Sequence, residues 1–245
     1  MVGIGPGARD EMSQRALDAL KNSETIVGYN LYIDLIADVV KDKQIIASTM
    51  RKEIERVTLA IQEAQLGKTV SIISSGDPGV YGMAGLVLER TYKENIDLPI
   101  EIVSGIPAAN AAAAVLGAPL MHDYAVISLS DLLTPWETIE RRVKCAAEAD
   151  FVIVLYNPMS SQRDWQIKKA SEIMLQRKSP NTPVGIVKEV SREGESVILT
   201  TLGKMITHPI DMTTVIIIGN STTFVYRNYM VTRRGYHVCY SKGNK

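Results

Sequence analysis

The sequence predicts an α/β protein of two lobes, the first built on a mainly parallel sheet and the second on a mixed one. Three observations carry this. Short β-branched runs alternate with helical patterns of roughly 12 to 17 residues, the rhythm of crossover βα units. A break falls at Leu116-Gly117-Ala118-Pro119-Leu120, after the small-residue helix Ala108 to Ala114, which places the domains at 1–117 and 118–245. Finally, 245 residues with 46% hydrophobic content can bury one large core or two modest ones.

The first strand, Val2 to Ile4, runs into Gly3-Ile4-Gly5-Pro6-Gly7-Ala8, which formally satisfies the dinucleotide fingerprint. Two physical points oppose that reading. Pro6 removes an N–H from the loop that would cradle a pyrophosphate, and Val27-Gly28-Tyr29 lacks the ribose-binding carboxylate. A tight turn that needs glycine is the plain alternative. Strands Thr25 to Val27 and Ile45 to Ser48 follow, then helix Lys52 to Gln65 closed by Gly67, strand Thr69 to Ser74 and helix Val80 to Glu94. Asp77 is placed to cap that helix, with Pro78 in its first turn; as a carboxylate beyond a strand end it could equally meet a ligand. Tyr81 is either a core aromatic or a pocket wall. After strand Pro99 to Val103, Gly105-Ile106-Pro107-Ala108-Ala109-Asn110-Ala111 opens a helix of almost bare backbone. It suits close packing against a sheet, and its first N–H groups suit an acceptor on a ligand.

The second half offers strands Tyr124 to Leu129, Phe151 to Leu155, Pro183 to Val187, Ser196 to Thr200 and Thr213 to Ile218, with helices Trp136 to Glu148 and Gln162 to Gln176. Closer strand spacing after residue 183 predicts the mixed sheet. Thr134-Pro135 with Glu137 reads as a capping box with proline at the first helical position. Tyr156-Asn157-Pro158 reads as a turn after a buried strand.

Composition narrows the function. Lys plus Arg and Asp plus Glu stand at 27 each, so no overall field favours nucleic acid, and an anionic ligand must rely on local cations. Arg163, Lys168, Lys169, Lys188, Arg192, Arg233 and Arg234 are the cations that follow the turns. Cys145 and Cys239 fit no metal or redox spacing and read as free thiols of a reducing compartment; His122, His208 and His237 share no chelating spacing, so no metal site is expected. No apolar run reaches the ~18 residues that cross a bilayer, and no leader precedes the first strand, so no membrane association and a cytoplasmic location are expected.

Four signatures taken in order, Val2-Gly3-Ile4-Gly5-Pro6-Gly7, Ser74-Ser75-Gly76-Asp77-Pro78-Gly79-Val80-Tyr81-Gly82, Ser130-Asp131-Leu132-Leu133-Thr134-Pro135-Trp136-Glu137 and Leu155-Tyr156-Asn157-Pro158, resemble the tetrapyrrole (corrin and porphyrin) methyltransferase family. The resemblance runs from Val2 to about Tyr236. The tryptophan-containing segment and the wording GDPGVYGMA are most similar to its precorrin-3B C-17 subgroup. Family members usually begin several residues earlier, with a fuller first strand, so the strand here is expected either to be short or to have lost its true start.

The resemblance implies a two-lobed fold with an active-site trough, S-adenosyl-L-methionine as cofactor, a homodimer, and methylation of a precorrin-3 level tetrapyrrole at C-17 with ring contraction in cobalamin biosynthesis. It implies cofactor contacts at Pro6, Ser75, Asp77, Val80, Pro107, Ala108, Tyr156, Asn157 and Val190. Substrate contacts would fall at Gly5, Gly7, Tyr81 and Ser130, with Arg163 and Arg192 as guanidinium forks for the substrate's carboxylates. Asp131, Lys188, Glu189, His122 and Tyr81 are candidate acids or bases for ring contraction. Whether the substrate carries cobalt stays open. Rival readings are a methylase of the same fold acting on another ring carbon or on diphthamide, a non-catalytic tetrapyrrole carrier and, last, a dinucleotide oxidoreductase.

Overall fold

In the computed structural model, which describes residues 1–236, the chain divides between Ala108 and Ala109. His237 and Cys239 lie outside the described residues.

The first unit holds β1 (Val2–Gly3), α1 (Gln14–Asn22), β2 (Thr25–Tyr29), α2 (Asn30–Asp34), α3 (Ala37–Val40), β3 (Gln44–Ser48), α4 (Glu53–Gln65), β4 (Val70–Ser74) and α5 (Ala84–Lys93). Its sheet has the order β1-β4-β2-β3, parallel at every pair, as the alternation predicts. Neighbouring strand residues point to opposite faces, and both faces are covered. Ile26 and Ile73 pack with Val2, Leu20, Ile36 and Val40, whereas Val27 and Ile72 pack with Val57, Ile61 and Val87.

Two expected elements differ. Pro99 to Val103 is not a strand; Val103 alone bridges Val2, because β1 has only two residues to pair with. The helix expected from Val80 begins at Ala84, so Asp77 is not its cap. Tyr81 is left-handed at φ 55, which a right-handed helix does not admit, and Asp77 takes the Gly79 N–H into a local turn instead.

The second unit begins within α6 (Ala108–Leu116) and continues through β5 (Gly117–Ala118), β6 (Tyr124–Ser128), α7 (Trp136–Glu148), β7 (Val152–Tyr156), α8 (Trp165–Leu175), β8 (Pro183–Lys188), β9 (Ser196–Thr201), β10 (Thr214–Ile218), β11 (Thr223–Tyr226) and β12 (Tyr229–Thr232). The division falls one helix before the boundary expected at 117/118. Side chains explain it: Leu116 fills the space over Gly185 of β8, where a β-carbon would stand 2.4 Å from it.

The main sheet is mixed, in the order β6-β7-β10-β8-β9, with β6 and β7 parallel and the rest antiparallel. Ile139, Val143, Ala146 and Ala147 of α7 recur at helical spacing and bury against Ile127, Ile153, Leu155, Ile186 and Ile216. The capping box at Thr134 does not form: Pro135 holds the cap position without a side-chain bond, and Trp136 packs edge-on against Trp165 at 4.8 Å. α8 starts at Trp165 rather than Gln162, because Ser160 and Arg163 first close a turn on each other. The sequence reading did not foresee a second, three-stranded sheet, β11-β12-β5. Among the described residues no helix is long and apolar enough to cross a membrane.

Candidate functional site

In the first unit three turns meet at close backbone approach. Beyond β1 and β4, Gly5 and Gly76 exchange N–H···O bonds of 3.2 and 2.7 Å. A β-carbon on Gly3 would stand 2.6 Å from the Gly105 nitrogen, and one on Gly105 would stand 2.1 Å from the Gly76 carbonyl oxygen. The Asp77 carboxylate ties the same junction, accepting the Gly79 N–H at Oδ1 (2.8 Å) and the Gly105 N–H at Oδ2 (3.1 Å). These glycines serve close backbone approach at a parallel-sheet edge rather than a pyrophosphate cradle. Pro6 is buried, Gly7, Ser75, Pro107 and Ala108 are half-buried, and Val80 and Tyr81 stand 37% and 57% exposed on the loop that Asp77 fixes. Tyr81 is therefore not a core aromatic.

In the second unit β6, β7 and β8 run the same way, since β10 is antiparallel to both β7 and β8 and β6 is parallel to β7. Their carboxyl ends bring Ser130, Asp131, Tyr156, Asn157, Lys188, Glu189, Val190 and Arg192 to one edge. The Ser128 hydroxyl accepts from the Asn157 side-chain amide (2.9 Å) and the Ser130 N–H (3.2 Å). Asn157 turns the chain at φ 49, which asparagine tolerates better than most residues. Tyr156 reaches back to α6, its hydroxyl oxygen accepting the Ala109 N–H at 2.7 Å. That helix-end donor is thus already used inside the protein. Tyr156→Phe is expected to lower stability by about 1 kcal/mol, the worth of one such bond; urea unfolding beside the parent protein measures it.

Several candidates change role. Arg163, expected at the substrate rim, is 6% exposed, and its Nη1 donates to the carbonyls of Leu129 (3.0 Å) and Asn157 (2.7 Å). Burial pushes its guanidinium below the usual arginine range, and the nearby Asp131 charge pushes it up. Lys188 pairs with Asp211 at 2.7 Å, and the hydrogen bond to Asp211 raises the ammonium above its ordinary range. That bond favours the protonated form of Lys188. Burial pushes the Asp211 carboxyl up, but the bonds from Lys188, Thr213 and Thr214 outweigh it and hold the group low. Glu189 is left-handed at φ 49, and Val190 buries its side chain to 5% exposure. Arg192 is half-buried on the same loop, its N–H bonded to the Glu189 carbonyl at 2.9 Å.

His122 does not join this group. It precedes β6, at the opposite edge of the sheet from Asp131 and about 17 Å away along a five-residue strand, and it accepts the Asp123 N–H at 2.9 Å. Of the other cations, Arg233 lies over the Phe224 ring, and Lys168 and Lys169 pair with Asp164 and Glu172. The sequence reading also missed Gln166. It is 2% exposed and donates from Nε2 to Asp131 Oδ2 at 2.9 Å. A glutamine on the buried stripe of α8, beside Ile167 and Ala170, was the available signal.

Comparison with known proteins adds to this geometry. A probable cobalt-factor III C(17)-methyltransferase of Salmonella typhimurium is 50% identical over 236 residues, covering 96% of this chain and 98% of that protein. A cobalt-factor III methyltransferase of Priestia megaterium is 47% identical over 98% of this chain, but the match takes in only 45% of that longer protein. The crystal structure of the methyltransferase CobJ superposes with a TM-score of 0.89 at 34% identity, covering 95% of this chain and 98% of that one. The model of the tetrapyrrole (corrin/porphyrin) methylases matches residues 1–206, across the turns of both units. With its glycine junction, its Asp77 loop and its Tyr156-Asn157 turn all inside that match, the chain belongs to the tetrapyrrole (corrin/porphyrin) methylases.

Proposed function

We propose that this chain is an S-adenosylmethionine-dependent C-methyltransferase that methylates C-17 of a precorrin-3 level tetrapyrrole, with ring contraction, in cobalamin biosynthesis. The observation that carries the reading is the 50% identity to the Salmonella typhimurium relative along nearly the full length of both chains. The names of that relative and the Priestia megaterium one favour a cobalt-bearing macrocycle, the metal arriving with the substrate. In this reading the enzyme works as a homodimer in the cytoplasm and binds neither nucleic acid nor membrane.

The residues suit the cofactor. A nucleoside with a charged amino-acid tail needs an apolar wall and fixed polar groups, and the first unit offers exposed Val80, Tyr81 and Ile106 on loops that Asp77 and Gly105 hold rigid. Ser75, Asp77, Val80, Pro6, Pro107 and Ala108 would hold the cofactor there, and Tyr156, Asn157 and Val190 are the further contacts that the family resemblance implies. When bound, the cofactor supplies a methyl group on a sulfonium, already activated for displacement. The protein's principal task is then to align an electron-rich ring carbon with it, worth about 7 to 11 kcal/mol. Asp131, whose carboxylate Gln166 orients, is the best-placed group for the proton movement of ring contraction. Gly5, Gly7, Tyr81, Ser130 and Arg192 would meet the macrocycle.

S-adenosylhomocysteine is expected to bind with micromolar affinity, about −8 kcal/mol, and to raise the melting temperature. Calorimetry reads the first, and mass and NMR analysis of a labelled methyl in the product reads the position. Absence of any thermal shift at millimolar ligand sinks the assignment.

A further inference from the structure

We propose that Arg163 is a positioning residue for methyl transfer: with Gln166 it locks the Asp131 loop to the Tyr156-Asn157 loop. The inference rests on the methyltransferase reading above and adds to it how one edge of the second unit is held in register.

Two neighbouring strand ends converge on one nitrogen. Leu129 follows β6 and Asn157 follows β7, and both carbonyls accept from Arg163 Nη1. Carbonyls beyond a strand end have lost their ladder partners and need another donor. Asp131 lies two residues past the first anchored carbonyl, and Tyr156 immediately before the second. Gln166, three residues after Arg163, sits in the first turn of α8 and takes hold of Asp131 Oδ2. The start of α8 therefore grips both loops at once. The Ser160–Arg163 turn fixes the backbone from which the guanidinium reaches inward, with bonds of 2.8 and 3.1 Å.

A second observation sets the cluster apart from an ordinary core anchor. Among the described residues Arg163 Nη2 and Gln166 Oε1, like Glu11 Oε2 in the first unit, are buried with no hydrogen-bond partner. Interiors satisfy nearly all such groups, so a donor and an acceptor left over beside two strand-end loops call for an explanation, which a positioning role supplies. An apolar side chain could fill the space without the cost of burying a charge. The charge and the fork stand where the two loops meet.

The test compares Arg163→Lys, Arg163→Met, Gln166→Leu and the Arg163→Lys/Gln166→Leu double variant in the full chain. Each is assayed for methyl transfer to a cobalt-bearing precorrin-3 level macrocycle, for S-adenosylhomocysteine affinity and for melting temperature. Arg163→Met is expected to lower kcat about 100-fold, and Arg163→Lys to recover roughly tenfold of that, because lysine keeps the charge without the planar fork. Gln166→Leu is expected to cost about tenfold in kcat while KM for the macrocycle stays within threefold. The double variant is expected to lose less than the product of the single losses, because the two residues act on one loop. If Arg163→Met does not fold, Arg163→Lys and Gln166→Leu decide alone. Folded Arg163→Lys and Gln166→Leu with wild-type kcat overturn the proposal, as do losses that merely follow the melting temperature. A wild-type protein that neither binds S-adenosylhomocysteine nor transfers methyl overturns the enzymatic reading instead, and the two failures are distinct.

Discussion

Gly105→Ala is expected to lower the unfolding free energy by about 3 kcal/mol, the upper end for overpacking, and to yield largely unfolded chain at elevated temperature. The new β-carbon would stand 2.1 Å from the Gly76 carbonyl oxygen and 2.9 Å from the Gly3 carbonyl carbon. Both obstacles are backbone, so no side chain can swing aside. Relief would require parting the turns after β1 and β4, which breaks the reciprocal Gly5–Gly76 bonds and the Gly105 N–H bond to Asp77. Gly85, in α5, is the control: nothing lies within 4 Å of its would-be β-carbon, and alanine there is expected to stabilise by about 0.5 to 1 kcal/mol. Chemical denaturation of the two variants beside the parent measures both signs. A Gly105→Ala protein as stable as the parent would mean that the junction yields.

Asp77→Asn is expected to cost about 1.5 to 3 kcal/mol, the range for hydrogen bonds to a charged group, and to weaken S-adenosylhomocysteine binding at least tenfold. The carboxylate accepts two backbone N–H groups, one at each oxygen. Asparagine keeps one acceptor and turns an amide N–H₂ toward the other donor, so one loop is released whichever way it sits. This loss does not follow from a helix cap, where asparagine serves as well as aspartate. Thermal unfolding and calorimetry on the same preparation separate the two effects. Unchanged stability would mean that Asp77 does not tie the Gly79 and Gly105 turns.

The sequence made the regular parts of this fold legible because apolar periodicity is local. α7 follows its stripe of Ile139, Val143 and Ala146 to the residue, and the buried parallel strands stand out as β-branched runs. The hairpin β11–β12 escaped because its signal is weak: Val225, Tyr226 and Tyr229 are exposed, and Arg227 rather than glycine occupies the left-handed turn position at φ 54. The positions of the site turns were readable from glycine, proline and strand ends, but the work of individual polar residues was not. Arg56, Arg163 and Lys178 are all buried, and each donates to a backbone carbonyl of another segment, Thr49, Leu129 and Phe151 respectively. In sequence they are indistinguishable from surface charges. Only the partner reveals that the charge faces inward.

The small sheet also bears on the order in which the protein is made. β5 pairs with β12 through Met230↔Gly117 and Val231↔Ala118, residues roughly 110 positions apart, a separation whose closure is slow to form. The ribosome adds about 5 to 20 residues per second. Gly117 therefore waits several seconds for its partner strand, while the parallel sheet of the first unit, complete by Ser74, has all its strands from early in synthesis. During that interval the edge of β5 and the residues around it stand open, and the last described strand is the one that closes them.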